Sequence, residues 1–296
     1  MSLAETTLIA RVRKALQDEP WEDTLSSAYT AASGTASFTQ PTQWAEGDRA
    51  EFADGSILRI KATPAANPVS VKGGHNDTTD TSESSAAVAL KNPEFEYGAI
   101  REAIQIVLDS LWPWAWTVST ANLTAAAGVQ LYALPAAFRE LISATQDITP
   151  AAAPTHLRAI AYGSDPGYPV SIRRHLPTGV AASGMALWFQ QVRTTPTTTI
   201  LVTYAKQVES TLTTGNYVEL DDGLMAKMVV AGVCAELLEA DEIVRIQDDV
   251  DQGDIGVPAN ARLRDGAYWQ AKFERFRHRY NLYLLRQHPF ASNWAE

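Results

Sequence analysis

Trp269-Gln-Ala-Lys-Phe273-Glu-Arg-Phe276-Arg-His-Arg-Tyr280-Asn-Leu-Tyr283-Leu284 is the most aromatic stretch of the chain. Its large residues recur at spacings of three and four, which reads as one apolar stripe on a helix. Burial of each such side chain is worth roughly 1.5–3 kcal/mol, so the stripe is expected to cover a partner helix. Two earlier segments supply partners. Ile100, Ile104, Val107, Leu108 and Leu111 follow Asn92-Pro93 at helical spacing and stop at Pro113; Leu224, Met225, Met228, Val229, Gly232, Val233, Leu237 and Leu238 follow Asp221-Asp222. Acidic residues at a helix start are favoured by the helix dipole.

Between the helical segments the pattern shortens to strands. Arg49-Ala-Glu-Phe and Ser56-Ile-Leu-Arg-Ile-Lys flank Asp54-Gly55, which predicts a hairpin with a type I′ turn. Ala36-Ser-Phe-Thr, Pro68-Val-Ser-Val-Lys and Ala86-Ala-Val-Ala-Leu complete a first β module of four or five strands. A second strand-rich region contains Val129 to Leu134, His156 to Tyr162, Val170 to Arg174, Ala186 to Val192 and Thr199 to Tyr204. The expected fold is therefore α+β: a helical bundle core with two inserted or appended small antiparallel β modules. Its divisions are an N-terminal helix and arm (1–33), a small β module (34–92), the first long helix (93–117), an antiparallel β domain (118–216), and the C-terminal helices with a tail (217–296). Trp112, Trp114 and Trp116 alternate and would share a face in an extended segment, as a seam between helix and sheet.

Composition narrows the function. The chain has 296 residues, 46% hydrophobic and 20% charged, with 34 acidic against 24 Lys and Arg residues and a formal net charge of −10. An acidic total argues against a nonspecific nucleic-acid or anionic-membrane binder. The lone Cys234 excludes an internal disulfide and sits in an apolar run, where a structural thiol is expected. The N-terminus lacks a basic start followed by a long apolar core, so synthesis and retention in the cytoplasm are expected. The uncharged run Ser110 to Phe138 is too polar and too interrupted to span a bilayer.

No catalytic, cofactor or metal spacing emerges. The sequence carries no Gly-rich phosphate loop, no His-Glu-x-x-His and no G-x-S-x-G, and its five histidines are scattered. Asp248-Asp-Val-Asp-Gln-Gly-Asp254 departs from a Ca²⁺ loop at positions 5, 6 and 12, and reads as an acidic helix end. No catalytic, cofactor-binding or metal residue is assigned, and no enzymatic activity is expected.

Charge is segregated in the last third: 11 acidic and 2 basic residues lie between Glu219 and Asp254, and 7 basic and 2 acidic between Arg262 and His288. Either these helices complement each other within one chain, or the acidic face of one subunit meets the basic face of the next in a ring. Candidates for the intersubunit contact are Glu236, Glu239, Asp241, Arg275, Arg277 and Arg279. Beyond Pro289 the tail carries Phe290 and Trp294, anchors for insertion into a partner. The polar segment Gly73 to Ser85 is expected to be an exposed loop, with His75, Asn76 and Asp77 at its centre.

Several segments in this order resemble a family: Trp44-Ala-Glu-Gly-Asp48 with Asp54-Gly55, Val71-Lys-Gly-Gly-His-Asn-Asp-Thr-Thr79, Tyr97 to Trp112, Tyr132-Ala-Leu-Pro-Ala-Ala-Phe138, and Val218-Glu-Leu-Asp-Asp-Gly-Leu-Met-Ala-Lys227 before an Ala-rich helix. They are similar to neck proteins of tailed bacteriophages, in particular the head–tail connector or adaptor group. The resemblance implies a structural virion protein at the head–tail interface, made in the host cytoplasm. It implies a ring, usually a dodecamer, docked under the portal protein, contacting stopper or tail proteins, and passing genomic DNA through its lumen without sequence-specific binding or membrane contact. Tyr283, Arg286, His288, Phe290 and Trp294 are then the portal-docking candidates. A stopper, tail-completion or tail-tube protein, and a carbohydrate-binding or enzymatic β protein using tryptophans such as Trp112 or Trp188, are the other readings.

Overall fold

The computed structural model describes residues 2–18, 20–74, 79–126, 128–147, 155–159, 169–189, 198–213, 215–217, 219–220, 223–252 and 261–288. The chain divides into two compact units, Met1–Leu108 with Ser210–Phe276 and Asp109–Glu209 with Arg277–Glu296.

In the first unit, β1 (Leu3–Ala4) leads into α1 (Glu5–Leu16), which ends where Gln17 takes a left-handed conformation. Leu8, Ile9 and Val12 form its buried stripe. β2 (Trp21–Thr24), β3 (Thr35–Ala36), β4 (Arg49–Glu51), β5 (Ile57–Ile60), β6 (Val69–Lys72) and β7 (Val88–Lys91) form a six-stranded sheet in the order β2-β7-β4-β5-β6-β3. The sheet curls until its two ends meet: Leu25 bridges to Phe38, and the Thr39 amide donates to the Thr24 carbonyl at 2.8 Å. Leu25, Phe38, Trp44, Phe52, Leu58, Ile60, Val69 and Val71 fill the inside. Asp23, itself buried, accepts a 2.9 Å hydrogen bond from Trp44 Nε1 and so fixes the largest of these side chains.

The hairpin joining β4 and β5 forms as expected, but by a different turn. Gly55 alone has a positive φ, +89°, and its amide donates to the Phe52 carbonyl. The Phe52 amide in turn donates to the Ser56 carbonyl, so three residues rather than two make the loop, with glycine in the left-handed position of a bulge.

Helices complete the first unit: α2 (Tyr97–Ser110), the strand β15 (Asn216–Tyr217) paired with β1, α3 (Leu224–Gln252) and the first part of α4 (Ala261–Gln287). These helices pack closely at Gly232. A Cβ built there would lie 2.8 Å from Val107 Cγ1 and 3.0 Å from the Phe273 ring, so the missing side chain is what lets α3 approach α2 and α4. Cys234, two residues on, is fully buried, and burial raises its thiol to about 12.

The second unit is built on seven strands: β8 (Thr117–Ala125), β9 (Leu131–Ala133), β10 (Glu140–Asp147), β11 (Thr155–Ala159), β12 (Pro169–Arg173), β13 (Ala186–Phe189) and β14 (Thr198–Lys206). Their order is β8-β14-β10-β11-β12-β13-β9, antiparallel except for the β11–β12 pair. The two edge strands, β8 and β9, are consecutive in the chain and separated by only five residues. Six strand spacings of about 4.8 Å cannot be crossed flat by so short a link, so this sheet must roll as well. Tyr132, Leu134, Phe138, Leu187, Phe189, Ile200, Val202 and Tyr204 fill it, with Ala121 and Leu123 of β8 packed alongside.

The expected helical-bundle core is thus corrected. Among the described residues the chain is mixed, with four α-helices and fifteen strands, and two of its hydrophobic clusters are built mainly from residues of the curled sheets. The long helices do meet through Val107, Gly232 and Phe273, but as one component of the first unit. Nor do the three tryptophans share a face: Trp116 is buried, Trp114 is exposed, and residues 111–114 form a turn rather than a strand. No helix among the described residues is long and apolar enough to cross a membrane.

Candidate docking surface

The last turns of α4 have two unlike sides. Tyr280 and Leu284 are buried, the Arg277 guanidinium lies over the Trp114 ring at 5.2 Å, and the His288 ring lies 5.7 Å from Trp116. These residues, at spacings of three and four, bind the helix end to the segment that precedes β8. The His288 amide donates to the Leu284 carbonyl at 2.8 Å, which extends the helical bonding one residue past the helix.

On the opposite side stand Arg279, Leu282, Tyr283 and Arg286, at i, i+3, i+4 and i+7, a contiguous two-turn patch. Leu282 is 43% exposed and Tyr283 52% exposed. The Tyr283 ring rests 6.0 Å from that of Tyr280, which orients it without covering it. Among the described residues neither Arg279 nor Arg286 enters an ion pair or a hydrogen bond. Two apolar groups between two free guanidinium forks suit a protein surface that is apolar at its centre and acidic at its edge, because Tyr and Arg are enriched at interfaces and Arg pairs carboxylates bidentately.

Of the portal-docking candidates, Tyr283 and Arg286 therefore lie on the outward side, His288 on the inward side, and Phe290 and Trp294 outside the described residues. Among the charge candidates, Arg275 and Arg279 are exposed and Arg277 is half-buried against Trp114. Glu239 is exposed, Glu236 is half-buried, and Asp241 lies in α3 with its side chain outside the described residues. The acidic and basic helices are packed neighbours within the first unit. A Cβ at Gly266 of α4 would lie 3.7 Å from Leu238 Cβ of α3, which gives the intramolecular explanation of the charge pattern its geometry.

His75, Asn76 and Asp77 lie outside the described residues. The described end of their loop is anchored: Asp80 accepts from the Tyr29 hydroxyl at 2.9 Å and from the Ala32 amide at 2.7 Å, and Glu83 exchanges backbone hydrogen bonds with Tyr29. Sequence reasoning missed Leu282, although its place opposite the aromatic stripe was available from the helical period. It also missed a buried polar network in the first unit. Glu5 accepts from Tyr97 Oη at 2.6 Å and from Arg101 Nε and Nη2 at 2.7 and 2.9 Å. Glu51 accepts from Arg13 Nη2 at 2.5 Å and from the Tyr97 amide. Burial would raise Glu5, but the donors from Arg101 and Tyr97 outweigh it and hold its carboxyl below the ordinary glutamate value; Glu51, more deeply buried, is pushed up.

A cavity of about 410 Å³ lies beside this network, lined by Ile9, Arg13, Phe52, Val88, Leu90 and Tyr97. Its walls are largely apolar, and Arg13 is already committed to Glu51 and to the Phe95 carbonyl. Among the described residues no group of His, Cys, Asp or Glu side chains is placed to hold a metal ion. The Trp188 ring carries the Arg173 guanidinium at 4.2 Å over one face. No known protein family matches the chain, and no curated protein matches it.

Proposed function

We propose that this chain is a structural adaptor of a tailed-phage neck, a ring subunit between portal and tail through which the genome passes. The observation that carries the reading is the outward patch Arg279, Leu282, Tyr283 and Arg286. It is an interface-type surface on the last turns of the final helix, which lead directly into the segment bearing Phe290 and Trp294. The order of segments that resembles the adaptor group supports the same reading, and so does an acidic chain, since a conduit wall of like charge to phosphate does not retain DNA.

The role is one of geometry and buried area rather than chemistry. The test mixes the purified protein with the portal encoded in the same genome and examines the mixture by electron microscopy, with each component alone as control. A ring of added density at one end of the portal is expected. Bare portals at high protein excess would overturn the assignment, and density on purified tails instead would make the chain a stopper or tail-completion protein.

A further inference from the structure

A row of cations crosses the outer face of the curled sheet in the first unit. The register sets Arg59 of β5 directly opposite Lys72 of β6 on one side and directly opposite Arg49 of β4 on the other. Like charges placed opposite each other across a ladder are destabilising. Arg49 is relieved by Glu96, its partner at 2.5 Å. Arg59 and Lys72 are exposed, and among the described residues neither side chain enters an ion pair or a hydrogen bond. The same holds for Lys61, whose amide donates to the Ser70 carbonyl at 3.0 Å and so continues the ladder past the end of β5. Leu58, Ile60 and Val71, the neighbours of these cations along the chain, are buried in the core of the sheet, so the cations stand on its outside. Acids are not in short supply, with 34 in the chain against 24 Lys and Arg residues. Arg13, Arg49, Lys91 and Arg101 of the same unit are each paired, with Glu51, Glu96, Asp48 and Glu5.

We infer that the outer face of β5 and β6 binds the phosphate backbone of duplex nucleic acid. Its composition selects that partner over an acidic protein. Protein interfaces have an apolar centre and are depleted in Lys. Here two of the three unpaired cations are Lys, Ser70 is exposed beside Lys72 on β6, and no large exposed hydrophobic side chain lies on either strand. Arg, Lys and Ser are the side chains that contact phosphate. Single strands are held by base stacking on aromatic side chains as well, and neither β5 nor β6 carries an aromatic residue, so the duplex is the fitting form. The net charge of −10 excludes a broadly cationic surface but not a local row. Contacts to phosphate carry no sequence information, and three of them on an acidic body make a weak, salt-labile hold.

The experiment needs no portal, so its outcome is separate from the adaptor reading. Fluorescence anisotropy of a labelled duplex of about 24 base pairs is followed as the full chain is added, in a salt series from about 20 to about 200 mM. The logarithm of the affinity should fall against that of salt with a slope of about −2.7, about 0.9 for each of three phosphates. Arg59→Ala with Lys72→Ala should lower affinity at least about tenfold at the lowest salt and reduce the slope to about −0.9. Arg264→Ala with Arg275→Ala, exposed on α4, should change neither. Arg59→Glu should abolish binding and yet raise the unfolding midpoint in urea, because it sets opposite charges against Arg49 and Lys72. Absence of binding at the lowest salt, full binding by the Arg59 and Lys72 variant, loss of binding in the α4 variant, or a lowered midpoint for Arg59→Glu would each overturn the inference. Poly-glutamate bound as tightly as the duplex would overturn it in favour of an acidic protein partner.

Discussion

Single atoms decide how closely the helices of the first unit approach. Replacing Gly232 with Ala should gain about 0.5–1 kcal/mol from helix propensity, yet it forces a methyl to within 2.8 Å of Val107 and 3.0 Å of Phe273. Both neighbours are buried, and overpacking of that kind costs roughly 1–3 kcal/mol. The penalty wins, so Gly232→Ala should lower the unfolding midpoint in urea, and an unchanged or raised midpoint would contradict the tight crossing. Glu5 makes a second test. Its folded pKa lies below the ordinary glutamate value of about 4.5, so its stabilisation is present above that pH and is lost as pH falls through the folded value. Glu5→Ala should cost roughly 1.5–3 kcal/mol at neutral pH, in the range of a hydrogen-bonded charged group. The difference from wild type should shrink on acidification below about pH 4.5, and a gap that stays constant with pH would show that Glu5 acts by packing alone.

At the scale of elements, strong periodicity was readable and weak periodicity was not. The helices at 5–16, 97–110, 224–252 and 261–287 follow apolar stripes that stand out in the sequence, and the strands at 57–60, 69–72 and 198–206 follow clear alternation. β8 and β10 went unseen. Residues 117–125 alternate between Thr or Asn and small residues such as Ser and Ala, with Leu123 the one large apolar side chain on the inward face, so their burial pattern comes from the partner strand β14 rather than from their own hydrophobicity. The bundle was over-read for a related reason. An aromatic stripe on a helix says that something covers it, not what, and Tyr283, counted into that stripe, lies on the other side of the helix. Three of the four residues of the candidate surface could therefore be found from residue type, Tyr283 and Arg286 as docking candidates and Arg279 as a charge candidate. That they share one side with Leu282 follows from the helical period once Tyr280 and Leu284 are known to be the buried side.

For the whole molecule the balance to be settled is between a net charge of −10 and one local cationic patch. If Arg279 and Arg286 pair with carboxylates of the portal, the two electrostatic contributions oppose each other, and they differ in range. Contacts at the patch act over a few ångströms, whereas repulsion between this acidic chain and a portal that is itself net acidic, the case this prediction takes, acts over the screening length, about 30 Å at 0.01 M salt and about 10 Å at 0.1 M. Binding should accordingly be weak at very low salt, pass through a maximum, and weaken again as the patch itself is screened. Replacing both Arg279 and Arg286 with Ala should abolish the fall at high salt and leave only the rise. Tyr283→Ala should lower affinity at every salt concentration by roughly 2 kcal/mol, the size of an aromatic anchor lost from the centre of an interface, without moving the maximum. Titration of portal with wild type and the variants across a salt series measures all three. Wild-type affinity that only rises with salt would mean that the arginines do not face the portal, and the docking surface would then have to be sought elsewhere on the chain.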